Sequence, residues 1–465
     1  MISSKGSKKG LLTKNPPATL RPVRRSLSED YASHAKHLKD HTAHMRISNL
    51  SIAATAALVM TLLCLLPRVA QAGGQGYSKD VLPESSDLGV GRFSDNPFHV
   101  SVTARGGYDD NVNLAPFNEQ ESIFTNLALG ITYNLGNPRT TISLDAGAGG
   151  TYYFDRDDEF DVNAYLRFSI SHKVTPRWTL GANLYLSYQS QPDFQNFAGG
   201  ATSFGRQNQD FFFSVNKFYS TFAWTPRFST LSSLTVGNTN YDSEVRSLFE
   251  DRVELTSGTE FRFLAAPTTT VVLEYRIGNV MYTEVDDRDS TSLFLLAGFD
   301  HNFSPRFSVS MRGGVEFRDY DNENGALGIG MDENEITSPY GELTLNYAIA
   351  ESTKITWFNR YAIEEPGLPQ VRSRQTYRTA VSLTHNFTPR ITGGLSAAYQ
   401  NDDYDENQIA SGFTEDTFDI SLSLRYAISR NWAVDVGYNH TEVVSDFMFR
   451  EYARNRVYGG VTFTF

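Results

Sequence analysis

Apolar and polar residues alternate with a period of two along most of the chain that follows residue 97. Over residues 307–320, for example, Val309 and Met311 fall on one side, whereas Arg312 and Glu316 fall on the other. Such alternation predicts β-strands, because successive side chains of a strand point to opposite faces. The apolar sides carry almost no charge. An arginine at the middle of a bilayer would cost about 2–4 kcal/mol, so this exclusion favours strands with one face against lipid.

Eight short turns divide the alternating segments at intervals typical of a repeated hairpin. Most of them contain Pro, which fixes φ for a tight turn and lacks the N–H that a β-ladder would need. They lie at residues 137–139, 175–177, 225–227, 266–268, 304–306, 350–352, 388–390 and 429–431. Because they alternate with nine longer loops, the pattern predicts eighteen antiparallel strands. A count of sixteen stays open if one hairpin is misread.

The predicted fold is all-β: a transmembrane, antiparallel, up-and-down β-barrel over residues 98–465. We place its strands at residues 98–108, 122–136, 140–154, 160–174, 178–190, 208–224, 228–241, 251–264, 269–282, 290–303, 307–320, 336–349, 353–363, 374–387, 391–401, 415–428, 432–443 and 453–465. Short turns at one end and longer loops at the other are typical of bacterial outer-membrane barrels. An even strand number puts both termini at the short-turn end, which predicts that both are periplasmic.

Aromatic residues cluster at the strand ends, as expected of two membrane interfaces. A soluble β-sandwich or propeller would also alternate, but its aromatic residues would have no reason to lie there. Those that flank the short turns are Trp178, Trp224, Phe228, Phe303, Phe307, Phe387 and Trp432. Those that lie where strands enter the longer loops are Tyr108, Tyr152, Phe154, Tyr188, Tyr241, Tyr282, Tyr320, Tyr399 and Tyr438.

The first 72 residues read as a secretory signal peptide with an extended N-terminal region. The apolar run over residues 52–66 is too short for a membrane anchor, and Ala70 and Ala72 form a small-x-small cleavage site. Met45 would start a leader of ordinary length. Residues 73–97 form a polar, Gly- and Ser-rich lead-in that we expect to be periplasmic. The only cysteine, Cys64, lies in the leader, which excludes disulfides and thiolate sites from the rest of the chain.

The charge of the chain excludes a nucleic-acid partner. The leader holds 11 of the 41 basic and 3 of the 53 acidic residues, so the remainder has a net charge of about −20. Acidic residues concentrate in the loops, at residues 155–159, 284–289, 319–323 and 402–406. The loop that begins at Asp319 starts like a calcium loop, but Gly325 comes one position late and no Glu follows at the twelfth. We expect solvated acidic loops and no metal site.

The polar sides of the strands predict a charged lumen wall that is modestly basic. The arginines are Arg105, Arg167, Arg262, Arg276, Arg312, Arg318, Arg360, Arg378, Arg425, Arg454 and Arg456. The carboxylates are Asp145, Glu254, Glu260, Glu274, Glu316, Glu342, Asp419 and Asp435. Two interpretations stay open: the arginines attract anionic solutes such as acidic sugars, or they pair with carboxylates and brace a hydrated interior.

No catalytic motif is present. The sequence contains no G-x-S-x-G, no Walker loop and no H-E-x-x-H. His172, His301 and His385 recur just before short turns, which suggests interface anchoring, and His440 has no convincing serine partner. We therefore expect neither an enzyme nor a cofactor. The lead-in of about 25 residues is too short for the plug domain of a TonB-dependent transporter.

Both ends of the predicted barrel carry short motifs with known counterparts. The first strand runs through Gly107-Tyr108-Asp109-Asp110-Asn111-Val112 into the first loop. The spacing of Tyr458, Gly460, Phe463 and Phe465 resembles the C-terminal assembly signal of bacterial outer-membrane barrels. Together with the hairpin repeat, these segments resemble the putative β-barrel porin 2 family over residues 98–465.

The resemblance implies association with exopolysaccharide or capsule export, together with a periplasmic export partner. The expected partners of such a barrel are outer-membrane lipid, lipopolysaccharide and the barrel assembly machinery. Three functions stay open. They are a conduit for secreted polysaccharide, a general diffusion porin for small solutes, and a structural or adhesive barrel with a plugged lumen.

Deleting Phe465 should impair membrane insertion before it impairs transport. The residue belongs both to the assembly signal and to the aromatic girdle, and its strand must pair with the first strand to remove both sheet edges. The measurement is the amount of heat-modifiable barrel in the outer membrane. A normal amount in the deletion variant would refute the assignment.

Overall fold

The computed structural model of the protein describes residues 97–156, 160–190, 210–284, 288–321, 335–368, 371–405, 412–447 and 450–465. Several sequence-based predictions lie outside these residues. They are the leader 1–72 with Met45, Ala70 and Ala72, the lead-in as far as residue 96, and the calcium-like spacing beyond Asp321.

The described residues form eighteen β-strands. These are β1 (Phe98–Asp109), β2 (Ser122–Gly136), β3 (Thr140–Tyr153), β4 (Phe160–Thr175), β5 (Trp178–Gln189), β6 (Phe211–Ala223), β7 (Phe228–Tyr241), β8 (Arg252–Ala266), β9 (Thr269–Tyr282), β10 (Ser290–Ser304), β11 (Phe307–Tyr320), β12 (Glu335–Ala350), β13 (Thr353–Glu364), β14 (Arg374–Thr388), β15 (Ile391–Tyr404), β16 (Phe413–Ala427), β17 (Trp432–Ser445) and β18 (Tyr452–Thr464). The predicted count of eighteen is confirmed, and the boundaries differ little. The largest differences are at β6, which begins at Phe211, and at β15, which continues to Tyr404.

The strands close into one antiparallel barrel. Each strand pairs with its neighbours in the sequence, and β1 also pairs with β18. Closure removes both sheet edges, which would otherwise leave unpaired backbone groups in the membrane. The eight short turns, Pro97 and Phe465 lie at one end of the barrel, called here the turn end. The longer connections lie at the other, called here the loop end.

The outer surface of the barrel is apolar and the inner surface is polar. Leu127 and Leu273 point outward and are 61% and 59% exposed, whereas the inward-pointing Arg312 is 5% exposed. A soluble protein would show the opposite distribution. An apolar exterior over an antiparallel barrel is the arrangement of a transmembrane β-barrel.

One helix was not expected from the sequence. It is α1 (Glu244–Glu250), which lies between β7 and β8 at the loop end. In the part of the chain that the structure describes, no helix has both the length and the apolar character needed to cross a bilayer.

Gly460 leaves space on the terminal strand β18 for a side chain of the neighbouring strand β1. In the register of the barrel, Gly460 on β18 stands between Arg105 on β1 and Asp435 on β17. A Cβ at Gly460 would lie 2.4 Å from Cγ of Arg105. The glycine therefore lets the Arg105 side chain cross β18 and reach Asp435, with Nε 2.9 Å from Oδ2.

The seam between β1 and β18 is locked at the loop end by the Gly-Tyr-Asp-Asp-Asn segment. The Asp109 side chain is fully buried and accepts hydrogen bonds from Nε of Arg454 at 3.0 Å. Nε of Arg456 lies 3.8 Å from the same carboxylate. Asp110 accepts from both the backbone and the side-chain nitrogen of Asn455. The motif that carries the family resemblance thus ties the first strand to the last.

Asn111 and Val112 continue this seam into the first loop. The side-chain amide of Asn111 donates to the carbonyl oxygens of Ala115 and Ala453, at 2.9 and 3.0 Å. Val112 is fully buried against Phe124 and Tyr153. The loop is therefore held inside the barrel mouth.

Replacing Asp109 with Asn should destabilise the closed barrel by about 3–5 kcal/mol, because Arg454 and Arg456 would lose their buried countercharge. The measurement is the midpoint of heat- or urea-induced loss of the compact band in electrophoresis. Asp319→Asn, at an exposed position at the end of β11, is the matched control and should change stability by less than about 0.5 kcal/mol. Equal midpoints for the two variants would contradict the role of Asp109.

Candidate functional site

The inner wall of the barrel is the candidate functional site. Its charged side chains stand on the inward positions of the strands, and most of them are buried and bonded to one another. They form two groups on the β8–β15 wall, one nearer the middle of the barrel and one at the loop end.

The middle group is centred on Arg312 of β11. One of its Nη atoms lies 2.9 Å from Asp300 on β10, and the other lies 3.5 Å from Glu260 on β8. Arg262 of β8 forms ion pairs with both of these carboxylates. Nε of Arg312 also approaches Glu274 on β9, at 3.9 Å. The wall here is a ladder of alternating charges from β8 to β11.

Arg276 of β9 extends this ladder toward β12. It pairs with Glu274 on its own strand and lies 3.3 Å from Glu342. It also donates to the phenolic oxygen of Tyr340 at 3.0 Å, and that hydroxyl donates in turn to Glu342 at 2.8 Å. Arg360 of β13 lies 6.0 Å from the centre of the Tyr340 ring. Every carboxylate of this group thus has an arginine partner.

The loop-end group has its centre on Glu364, the last residue of β13. It accepts from Arg378 at 2.9 Å and from Arg374 at 3.3 Å. Arg360 lies 3.6 Å away on the same strand. Arg374 also pairs with Asp402 of β15 at 2.8 Å. Three arginines therefore surround one buried carboxylate at the end of β13.

The connection between β13 and β14 folds into the mouth of the barrel. Its described residues, 365–368 and 371–373, are called here the strap; six of the seven are buried. Glu365 accepts from Arg318 of β11 at 2.9 Å and from the phenol of Tyr282 at the end of β9. Val371 packs against Tyr404 and Phe413.

The strap also reaches the loop-end connections that follow β7 and β9. Arg246 of α1 donates to the carbonyl of Gly367 at 3.3 Å, and Arg288 donates to that of Leu368 at 3.3 Å. Strands β13 and β9 are four apart, which is about 19 Å along the wall at about 4.8 Å per strand. Contacts over that separation require the strap to lie across the opening rather than above its own strands.

Two loop-end groups outside the strands have altered proton affinities. Burial favours the neutral form of Arg288, but Tyr282, Glu250 and Glu365 outweigh it, so the pKa of Arg288 is raised. Burial, helped by Asp403, raises the pKa of Asp405 to about 6. Asp405 accepts a hydrogen bond from Ser373 of the strap. Arg288 therefore stays charged where it contacts the strap, whereas Asp405 is a strap contact whose carboxyl has a pKa of about 6.

Three of the tyrosines expected in the outer aromatic girdle lie inside the barrel. Tyr241, Tyr282 and Tyr320 are buried, because the last position of β7, β9 and β11 falls in the inward register. Each lies beneath an arginine of a loop-end connection. The distances from the guanidinium carbon to the ring centre are 5.5 Å for Arg246 on Tyr241, 4.2 Å for Arg288 on Tyr282 and 4.8 Å for Arg372 on Tyr320. They anchor the mouth rather than the membrane interface.

The remaining predicted wall residues are distributed around the barrel. Arg167 and Asp145 pair at 3.5 Å between β4 and β3. Arg425 stands opposite Asp435 in the β16–β17 register. Asp419 accepts from the Thr441 hydroxyl at 2.7 Å.

Two acidic residues of the predicted lumen wall lie at the loop end. Glu254 is 2.9 Å from Arg252, and Glu316 is 3.1 Å from Arg318. Glu316 also accepts from the hydroxyl of Ser292 at 2.9 Å. These pairs connect β8 and β11 to the base of the strap.

Sequence reasoning missed several wall residues, most of which are acidic. The missed arginines are Arg252 and Arg374, and the missed carboxylates are Asp109, Asp300, Glu364, Asp402 and Glu415. Adding them makes arginines and carboxylates equal in number in the enlarged set. Asp402 is inward-facing because β15 continues three residues beyond its predicted end. The period-two pattern would have found it if the strand had been extended.

The histidines have local partners. His172, His301 and His385 each share a hydrogen bond with a threonine on the adjacent strand, at 2.7–2.8 Å. His440 lies 2.9 Å from the side-chain oxygen of Asn455 and 3.9 Å from Glu442. Neither contact supplies a nucleophile.

Comparison with solved structures finds other outer-membrane proteins. The Pseudomonas aeruginosa protein OpdK is 12% identical, with a TM-score of 0.42, over 79% of this chain and 99% of that one. Acinetobacter baumannii OccAB4 is 10% identical, with a TM-score of 0.40, over 80% and 99%. Pseudomonas aeruginosa OccK2 in complex with glucuronate is 9% identical, with a TM-score of 0.41, over 79% and 98%. Likenesses this weak say nothing about what the present chain carries.

A comparison with curated proteins gave no match. The sequence model of the family described as Putative beta-barrel porin 2 matches residues 89–465, which include all eighteen strands. The chain therefore belongs to the Putative beta-barrel porin 2 family of porin-like outer-membrane β-barrels.

Proposed function

We propose that this protein is a non-enzymatic conduit for small solutes, with its turn end toward the periplasm and its loop end outside the cell. The observation that carries the proposal is the strap across the loop-end mouth. Both its ends and its centre are bonded to the surrounding wall, so it narrows the loop-end opening. A narrowed, polar barrel passes solutes according to their size.

The strap argues against a path for secreted polysaccharide. A polymer that threaded the mouth would have to separate Glu365 from Arg318 and Tyr282 while it passed. Removing one member of a buried ion pair typically costs about 3–5 kcal/mol, because the other charge is left without a partner. The export role that the family resemblance implies would therefore need a conformation with the strap withdrawn.

The paired wall favours weak charge selectivity. Each arginine of the middle group lies beside a carboxylate, so the field in the lumen is that of alternating dipoles rather than of one sign. The pairs brace a hydrated interior. Small polar solutes of either charge fit this wall better than acidic sugars alone.

A structural barrel with a plugged lumen is the second candidate, and the burial of the strap favours it. Single-channel recording of the purified barrel in a planar bilayer distinguishes the two. Stable conductance steps would support the conduit. A silent bilayer that contains correctly folded barrel would support the plugged structure.

Replacing residues 365–373 with Asn-Gly should increase conductance and raise the size limit for neutral sugars in vesicle swelling. The two residues suit a tight hairpin turn between the paired Glu364 and Arg374. Residues 117–119, which are exposed in another connection at the same end, provide the control. Their replacement by Gly-Gly should change neither quantity. Unchanged conductance in the strap variant would contradict the proposal.

Replacing Arg312 with Gln should shift the channel toward cations, because Asp300 and Glu260 would lose a countercharge. One unit charge at about 8 Å in water is worth about 0.5 kcal/mol, which is about a factor of two for each ion and about a factor of five in the ratio of cation to anion permeability. The measurement is the reversal potential in a salt gradient. The double variant R312Q/D300N should return most of the way to the wild-type value. A shift toward anions would contradict the assigned wall position.

A further inference from the structure

Six of the eight short turns carry an exposed arginine. The arginines are Arg139, Arg177, Arg227, Arg306, Arg390 and Arg430, and together they are called here the arginine ring. They occur on turns between β2 and β3, β4 and β5, β6 and β7, β10 and β11, β14 and β15, and β16 and β17. The ring therefore runs around the whole circumference of the turn end.

A repeated local structure fixes the backbone at these positions. The amide of Arg177 donates to the hydroxyl of Thr175 at 3.3 Å, and the same bond joins Arg227 to Thr225 at 3.2 Å. Ser304 and Thr388 accept in the same way from Arg306 and Arg390, both at 3.2 Å. Asn137 accepts from Arg139 at 3.0 Å. In all five turns a proline precedes the arginine, so each guanidinium starts from an equivalent place.

Aromatic side chains place the arginine ring just outside the apolar band. Trp224, Phe303 and Phe387 point outward within three residues of a ring arginine and are 56%, 61% and 62% exposed. Aromatic residues of this kind mark the boundary between hydrocarbon and headgroups. Each arginine follows its aromatic residue within one tight turn, as where the amide of Trp224 donates to the carbonyl of Phe228 at 3.0 Å, so it stays close to the aromatic level. The headgroup layer adds about 5–7 Å to each side of the hydrocarbon. Long arginine side chains at this depth reach the level of the lipid phosphates.

The described part of the chain places little acidic charge around the arginine ring. Among the described residues, none of the six guanidinium groups lies within ion-pair distance of a carboxylate, and all six are exposed. Lys173 and Lys354 add to the positive charge near this end, whereas Glu351 is the one acidic residue in the eight short turns. The acidic segments of the chain lie at the opposite end.

We propose that the arginine ring binds the phosphodiester headgroups of anionic phospholipids, such as phosphatidylglycerol, in the periplasmic leaflet of the outer membrane. Guanidinium groups match phosphate oxygens in geometry and charge. A protein partner would contact one sector of the turn end, whereas lipid surrounds all of it, as the arginines do. The proposal uses the membrane orientation given above but is independent of what the lumen carries.

Native mass spectrometry of the purified barrel tests the proposal. The barrel is offered phosphatidylglycerol or phosphatidylcholine with the same acyl chains, and the number of retained lipids is counted. Each arginine near an anionic surface contributes about a factor of five in affinity. The wild type should therefore retain phosphatidylglycerol in clear preference to phosphatidylcholine.

Two matched variants change only the arginine ring. Replacing all six arginines with Gln should bring the ratio of the two lipids close to one, whereas replacing all six with Lys should keep most of the preference. If the sixfold Gln variant does not fold, Arg139, Arg177 and Arg227 are replaced alone, with an intermediate ratio expected. A phosphatidylglycerol preference that survives replacement by Gln overturns the proposal. Conductance should be unchanged in the Gln variant, which separates this test from that of the conduit.

Discussion

A β-sheet can remain in a membrane only if it has no edge, and every other feature of this barrel depends on that constraint. Seventeen of its strand pairings join neighbours in the sequence, but the eighteenth joins the first strand to the last. At the loop end, the ion pair between Asp109 and Arg454 reinforces that pairing. Nearer the turn end, the Arg105 side chain crosses β18 at Gly460 to reach Asp435.

Closure of the barrel places the polar face of each strand on the inside, where most of the charged side chains are buried. At a buried position of the wall, an isolated arginine or carboxylate would be expensive. The wall therefore contains ladders in which arginines and carboxylates pair along one strand or across to another. The same requirement holds the strap, because Glu365 completes the set of partners around Arg318 and Tyr282.

The sequence was sufficient for the features that repeat with a local period. Alternation of apolar and polar residues located the strands, and the Pro-containing turns fixed their number and direction. It was not sufficient for features that depend on which distant residues meet. Nothing local distinguishes Glu365 from the acids of a solvated loop, because its burial comes from Arg318, on a strand two places away in the barrel.

The faces of some strand-end tyrosines were predicted wrongly, because they were assigned by their aromatic character rather than by the alternation of their strand. Tyr320 continues the inward alternation of Arg312 and Arg318 and points into the lumen. Tyr108 precedes the inward-facing Asp109 and therefore points toward lipid. Helix α1 is too short to leave a periodic signal of its own.

The self-contained hydrogen bonds of the short turns bear on how quickly the barrel can assemble. In each such turn the threonine, serine or asparagine that accepts the bond is two residues from its donor, so the turn can form before any strand meets a distant partner. Hairpins of this kind close in microseconds. Asp109 and Arg454, by contrast, are 345 residues apart in the chain. Closure of the barrel therefore depends on one encounter between segments far apart in the chain, whereas the other seventeen pairings join neighbouring segments.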